Sequence, residues 1–179
     1  MFEFPKRYAD LVARLRVPSG FLIVIVFAWF SRPTPESLWV GLPLALCGLA
    51  IRAWAAGCLA KNQQLATGGP YAYTRNPLYI GTLLVAAGLV IASRSAGLGL
   101  LFTAVFVLVY LPVIQLEEQH LRRLFPEYQR YAEEVPMLWP RIAAAPRRDA
   151  FHFSQYWKNQ EYQAALGLAL GIAFLIWKM

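Results

Sequence analysis

Two polar clusters in an otherwise apolar chain carry the residue types that chemistry needs. The first is Gly68-Gly69-Pro70-Tyr71-Ala72-Tyr73-Thr74-Arg75-Asn76-Pro77-Leu78-Tyr79-Ile80-Gly81, and the second is Gln115-Leu116-Glu117-Glu118-Gln119-His120-Leu121-Arg122-Arg123. Adjacent glycines permit tight or left-handed backbone, and Pro70 stiffens the tyrosine-bearing stretch after it. Pro77 suits the first turn of a helix, which leaves free backbone N–H groups beside Arg75 and Asn76, a setting that attracts carboxylate or phosphate. Tyr71, Tyr73 and Tyr79 add aromatic faces and hydroxyls. Glu117 and Glu118 add two carboxylates that point about 100° apart on a helix, so one of them faces any common cleft. Such a set suits a small zwitterionic or anionic molecule. A plainer reading also stands: the tyrosines, Arg75 and Asn76 as an interfacial belt, with Glu118 paired to Arg122 at i+4.

Other chemistries lack candidates. No GxGxxG, Walker or Ser-nucleophile pattern occurs. His120 reads as a surface residue, and neither it nor His152 has ligand-like spacing to Cys47 or Cys58, so no metal site is expected. The two cysteines lie eleven residues apart in one apolar stretch, about 16 Å along a helix, too far for a disulfide.

The elements that must hold these clusters are membrane helices. Apolar residues make up 58% of the chain and charged ones only 15%, against about 25% charged in a soluble domain, so neither an ordinary globule nor a disordered chain fits. Five apolar segments stand out: Val17–Phe30, Leu38–Ala60, Leu78–Ala92, Leu98–Leu116 and Ala164–Trp177. The second and fourth reach the roughly 20 residues of a spanning helix, and the others are short. The N-terminal segment resembles a signal peptide in charge pattern, but Ser31-Arg32-Pro33-Thr34-Pro35 follows without a small-x-small cleavage pattern, so a retained anchor is expected. Ser93-Arg94-Ser95-Ala96-Gly97 is so short a link that segments three and four must form an antiparallel hairpin.

Charge sets an orientation. With the N-terminus inside, thirteen Lys and Arg fall inside and three outside (Arg32, Arg94, Lys178), leaving Arg52 within segment two. That asymmetry predicts a cytosolic N-terminus and an outside C-terminus. Arg52 either snorkels to the headgroups or faces the same cleft as the clusters. The polar region Glu117–Tyr162 holds seven basic and seven acidic residues, so the net charge of +7 reflects topology rather than a nucleic-acid surface. Leu121, Leu124, Phe125, Tyr128 and Tyr131 recur at helical spacing. Segment four is therefore expected to run into the cytosol, bend at Pro126 as a new helix begins, and lie back on the membrane. The hairpin brings the start of segment three and the end of segment four to one face, the predicted inside.

In these residues the chain resembles the isoprenylcysteine carboxyl methyltransferase family and its phospholipid methyltransferase relatives. The resemblance covers Gly48 to Pro140: Gly69-Pro70-Tyr71, Arg75-Asn76-Pro77-Leu78-Tyr79-Ile80-Gly81, Glu117-Glu118-Gln119-His120-Leu121, Phe125-Pro126-Glu127-Tyr128-Gln129-Arg130-Tyr131, Val135-Pro136 and Trp139-Pro140. Three positions depart from the family pattern. Asn76 stands where His is usual, Pro126 where Gly is usual, and Met137 where Arg is common, with Arg141 a substitute after Pro140.

The resemblance implies an all-α, multi-pass membrane enzyme that transfers methyl from S-adenosylmethionine to a lipid-like acceptor at the cytosolic face. It implies cofactor contacts at Gly69, Tyr71, Arg75, Asn76, Pro77, Tyr79, Glu117, Glu118, Tyr128 and Tyr131, and catalytic roles for Glu117, Glu118 and Arg141. Expected partners are membrane lipids and a hydrophobic or prenylated small-molecule or protein acceptor, without nucleic acid. In a bacterial host the location would be the inner membrane. Rival readings are a phospholipid or small-amphiphile N-methyltransferase and, further off, an NADPH-dependent reductase of the sterol reductase type. The expected divisions are 1–37 with the first membrane helix, a methyltransferase core at 38–141, and a C-terminal extension at 142–179 with the fifth. Within that extension Tyr156, Trp157, Lys158 and Tyr162 form an interfacial belt. Gly167 and Gly171 form a small-xxx-small face for docking on the core or for a homodimer.

Overall fold

The computed structural model describes residues 4–141 and 150–179, so Arg147 and Arg148 lie outside the described residues. Among the described residues all regular structure is helical. The order is α1 (Lys6–Phe30), α2 (Pro35–Cys58), a 3₁₀ turn (Gly69–Ala72), α3 (Pro77–Ser93), α4 (Ala96–Val105), a π-helical turn (Phe106–Tyr110), α5 (Leu111–Leu124), α6 (Tyr128–Glu134), α7 (Phe153–Lys158) and α8 (Tyr162–Lys178). From α4 through α5 the chain is one 29-residue rod, Ala96–Leu124. Among the described residues, that rod and α2 are the two helices long and apolar enough to cross a membrane, and shorter apolar helices cover Ser19–Phe30, Pro77–Ser93 and Tyr162–Lys178.

Local chemistry sets the helix ends. Thr34 and Ser37 cap the start of α2 reciprocally, with Pro35 in its first turn. Arg94 closes α3 in the left-handed region at φ 53°, and the Ser95 side chain then caps α4. This is the expected antiparallel hairpin. Pro126 does not start a helix itself; it sits in a turn closed by the Tyr128 N–H on the Phe125 carbonyl, and α6 begins after it.

The tightest packing joins α2 to α3. A Cβ on Gly88 would sit 2.5 Å from the Gly41 carbonyl oxygen, and one on Gly48 2.5 Å from that of Gly81. Ala45 lies between them, 1% exposed. Small residues two turns apart on each helix thus let the backbones touch, the arrangement that gains most where no water drives helices together.

The helices alternate in direction. At one end the Arg32 N–H bonds the Ser93 carbonyl, Ser37 Oγ bonds that of Ala92, and Lys178 Nζ bonds the carbonyls of Ala28 and Trp29. A cluster of Phe27, Ala92, Leu98 and Leu175 seals that end. Leu168 and Leu175, both buried, dock α8 on the core. Gly171 only approaches Leu89, and Gly167 faces open space. The opposite end gathers the start of α3, the end of α5, α6, α7 and the start of α8. Large apolar side chains point outward, among them Phe21, Trp29, Trp39, Leu100, Leu170 and Trp177, each at least 70% exposed. A soluble bundle would turn them in.

Candidate functional site

Arg75 and Glu118, 43 residues apart, form a two-point ion pair: Nε to Oε1 at 2.9 Å and Nη2 to Oε2 at 3.1 Å. Both side chains are about nine-tenths buried, at 9% and 10% exposure. The hairpin delivers them, because Arg75 precedes α3 and Glu118 lies in the second half of α5. The plainer partner, Arg122, does not take Glu118; its guanidinium lies over the Tyr128 ring, 5.9 Å from the centroid. Of the two carboxylates Glu118 turns inward and Glu117 stays exposed, as their angular offset requires.

α6 and the segment after it complete the knot. Arg75 Nη1 donates to the Ala132 carbonyl at 2.6 Å, and its backbone N–H donates to that of Pro136 at 2.9 Å. Asn76 Nδ2 bridges Glu118 Oε1 at 3.2 Å and the Met137 carbonyl at 3.1 Å. Thr74 Oγ1 bonds the carbonyls of Met137 and Leu138. Asparagine supplies two donors from one nitrogen, so in this position it serves both acceptors. Pro77 is buried directly behind it.

Four tyrosines wall this region. Tyr71, Tyr79, Tyr128 and Tyr131 are all buried. Tyr131 donates to the Tyr71 carbonyl at 2.7 Å, tying α6 to the glycine-led turn. Gly69 takes φ +53°, with Cys58 and Trp54 close behind its missing side chain. The Tyr71 hydroxyl is buried without a hydrogen-bond partner, and the buried Tyr128 hydroxyl faces the Glu118 carboxylate. Burial first, and then the Tyr131 hydroxyl, the Cys58 thiol and the charges of Glu117 and Glu161, push the Tyr71 hydroxyl far above its ordinary value. Burial and then the Glu118 charge do the same to Tyr128. Both remain neutral at physiological pH.

Of the other expected residues, His120 is exposed, and so is Arg141. Arg141 is held by its backbone N–H on the Tyr73 carbonyl at 2.9 Å, beside the site rather than within it. Cys47 and Cys58 are not joined in a disulfide, and among the described residues no group of three metal-ligating side chains occurs. Sequence reasoning missed Ala132, Pro136, Met137 and Leu138, which act through backbone carbonyls that no side-chain type announces.

The glycine turn, the start of α3 and the Glu118 turn of α5 all fall within residues 37–128, which match the family described as phospholipid methyltransferase. The chain belongs to that family. The cobalt-zinc-cadmium resistance protein CzcN of Cupriavidus metallidurans is 30% identical over 76% of this chain and 70% of its own length. The nickel-cobalt-cadmium resistance protein NccN of Alcaligenes xylosoxydans xylosoxydans is 32% identical over 64% of this chain and 54% of its own. A protein-S-isoprenylcysteine O-methyltransferase of Schizosaccharomyces pombe is 30% identical over 76% of this chain and 60% of its own. No solved structure gives a significant match. As a member of this family the chain is a membrane methyltransferase by descent, and α6 to α8 lie largely or wholly beyond the matched segment.

Proposed function

We propose that this protein transfers a methyl group from S-adenosylmethionine to a lipid-like acceptor at the end of the bundle that holds Arg75, Asn76 and Glu118. The observation that carries the reading is the buried Arg75–Asn76–Glu118 knot inside the family-matched segment. It offers a fixed guanidinium, an amide and a carboxylate within one hydrogen-bonded group, complementary to the carboxylate and ammonium of an amino-acid zwitterion. The buried, unpartnered hydroxyl of Tyr71 adds a polar atom in search of a ligand. The residues present therefore fit the cofactor.

S-Adenosylmethionine, when bound, supplies a methyl group activated on a sulfonium. Around it the protein positions and dehydrates. Arg75, Asn76 and Tyr79 hold the carboxylate or ribose side, and Glu118, with Glu117 at the rim, holds the ammonium. Tyr128 and Tyr131 close the pocket against water, which favours the neutralisation of charge that accompanies transfer. A carboxylate acceptor needs no base, whereas an amine acceptor would lose its proton to Glu117 or Glu118.

The membrane placement extends this reading. Five helices cross, with the N-terminus and the site in the cytosol and the C-terminus outside. Support comes from the basic-residue asymmetry, the outward apolar side chains and the two ends of exposed Trp. Trp29, Trp39 and Trp177 stand at one end, and Trp54, Trp139 and Trp157 at the other. Within α2, Trp39 and Trp54 are about 22 Å apart along the axis. The open Gly167 face of α8 is where a homodimer would form.

The acceptor divides two readings. Similarity to a protein-S-isoprenylcysteine O-methyltransferase favours a carboxyl ester product, and the family description favours a phospholipid amine. Membranes containing the protein, supplied with radiolabelled S-adenosylmethionine, decide between them. Label released as methanol by mild alkali marks an ester, and alkali-stable label in lipid marks an amine. No transfer, with NADPH bound instead, would sink the methyltransferase reading.

A further inference from the structure

Arg52 is the only charged residue between Glu36 and Lys61, yet it sits inside an apolar helix. Its guanidinium is held from α3 and from the residue that precedes α8. Nη1 donates to Thr82 Oγ1 and to the Leu78 carbonyl on α3, while Nε and Nη2 grip the two oxygens of Glu161, at 2.5 and 2.9 Å, just before α8. Gly81 makes room, since a Cβ there would strike the Arg52 stem at 2.5 Å.

The two halves of this arrangement differ in origin. The α3 contacts orient the guanidinium from within the family-matched segment. Glu161 comes from the extension, which hangs over the end of α2 by separate ties: Asn159 Nδ2 to the carbonyls of Ala56 and Leu59, and the His152 N–H to that of Gly57. Glu161 also follows Gln160, whose φ of 56° puts a residue other than glycine in left-handed backbone, at the joint between α7 and α8. Removing Glu161 would therefore leave Arg52 aimed but unpaired. The Arg52 side chain is 23% exposed against 6% for Glu161, so the cation is the more open member of the pair. Leu78 and Thr82 lie two and six residues beyond Asn76, about 3 and 9 Å along α3, so Arg52 is held one to two turns deeper in the bundle than the Arg75 knot.

We propose that Arg52 is an anion subsite for the headgroup of an amphiphile, a carboxylate or phosphate monoester, and that the Glu161 carboxylate occupies it when the subsite is free. The two-point grip on Glu161 is the geometry by which a guanidinium takes a carboxylate or phosphate. A charge at this depth is costly without a partner, so the acid serves as a resident stand-in that the ligand displaces. This deepens the methyltransferase reading and rests on it for the acceptor, but binding of the anion does not require methyl transfer.

The test uses the purified full-length protein in neutral detergent and measures retention of radiolabelled hexadecyl phosphate, with palmitate and inorganic phosphate as parallel probes. Binding of S-adenosylmethionine is recorded on the same samples. Glu161→Gln should raise affinity for both amphiphiles about tenfold by removing the competing charge. Glu161→Asp, which keeps the charge but shortens the reach, should raise it by a smaller factor and decides the matter if Glu161→Gln fails to fold. Arg52→Gln combined with Glu161→Gln, which removes both charges together, should abolish the gain. Unchanged affinity in both Glu161 variants, or a gain that survives loss of Arg52, overturns the subsite. Equal affinity for inorganic phosphate overturns the amphiphile assignment. Loss of S-adenosylmethionine binding in the unmodified protein would overturn the methyltransferase reading instead, leaving the anion measurement to stand or fall alone.

Discussion

The Tyr8 hydroxyl on α1 donates to the Leu108 carbonyl in the π-helical turn at 2.7 Å. Leu108 is four residues before Pro112, which has no N–H, so its carbonyl lacks the usual helical donor. A residue a hundred positions away supplies the missing bond. In lipid such a group has no water to turn to. Tyr8→Phe should therefore cost about 1 kcal/mol, read as a lower unfolding midpoint in detergent. An unchanged midpoint would show that the carbonyl is satisfied elsewhere.

The α2–α3 seam leaves no room for a methyl group. Gly88→Ala would place a Cβ 2.5 Å from the Gly41 carbonyl oxygen, and Gly81→Ala would press on Arg52 and the Gly48 carbonyl. Each should destabilise by about 1–3 kcal/mol through overpacking. Gly20→Ala, which meets nothing within 4 Å, serves as the control and should not lower the melting temperature. Equal behaviour of the three variants would contradict the seam.

Breaking the Arg75–Glu118 pair strands a buried charge. Glu118→Ala and Arg75→Ala should each cost roughly 3–5 kcal/mol, and the double variant should lose less than the two singles summed. Binding of S-adenosylmethionine, followed by calorimetry, should fall in all three. A double-variant cycle with no coupling energy would refute the pairing.

Alkaline pH should weaken the fold in a defined window. Burial holds the Tyr71 and Tyr128 hydroxyls neutral far above the ordinary tyrosine value near 10. In the unfolded chain they ionise near that value. As pH rises past 10 the unfolded state therefore releases protons that the folded state keeps, and stability declines; below 10 this contribution is fully present. Tyr71→Phe with Tyr128→Phe should flatten the decline in a denaturation series from pH 8 to 11. A slope identical to that of the unmodified protein would reject the assignment.

The sequence by itself determined the local and periodic features. Apolar runs marked the helices, with two of them long enough to cross a membrane. Ser93 to Gly97 demanded the α3–α4 hairpin, and that hairpin alone required Arg75 and Glu118 to share one end. Such features depend on near neighbours in the chain and on the period of the helix, so residue types suffice to read them.

Only the tertiary structure decided the partners. Glu118 passes over Arg122, its i+4 neighbour, for Arg75, because a buried guanidinium with one edge already on the Ala132 carbonyl needs a counter-charge more than an exposed one does. Arg52 takes Glu161, 109 residues on, and the α2–α3 seam is tighter than that of the hairpin itself. These choices depend on which buried polar group would otherwise be left without a partner. That cost is set by the three-dimensional surroundings and leaves no mark in the spacing of residues along the chain.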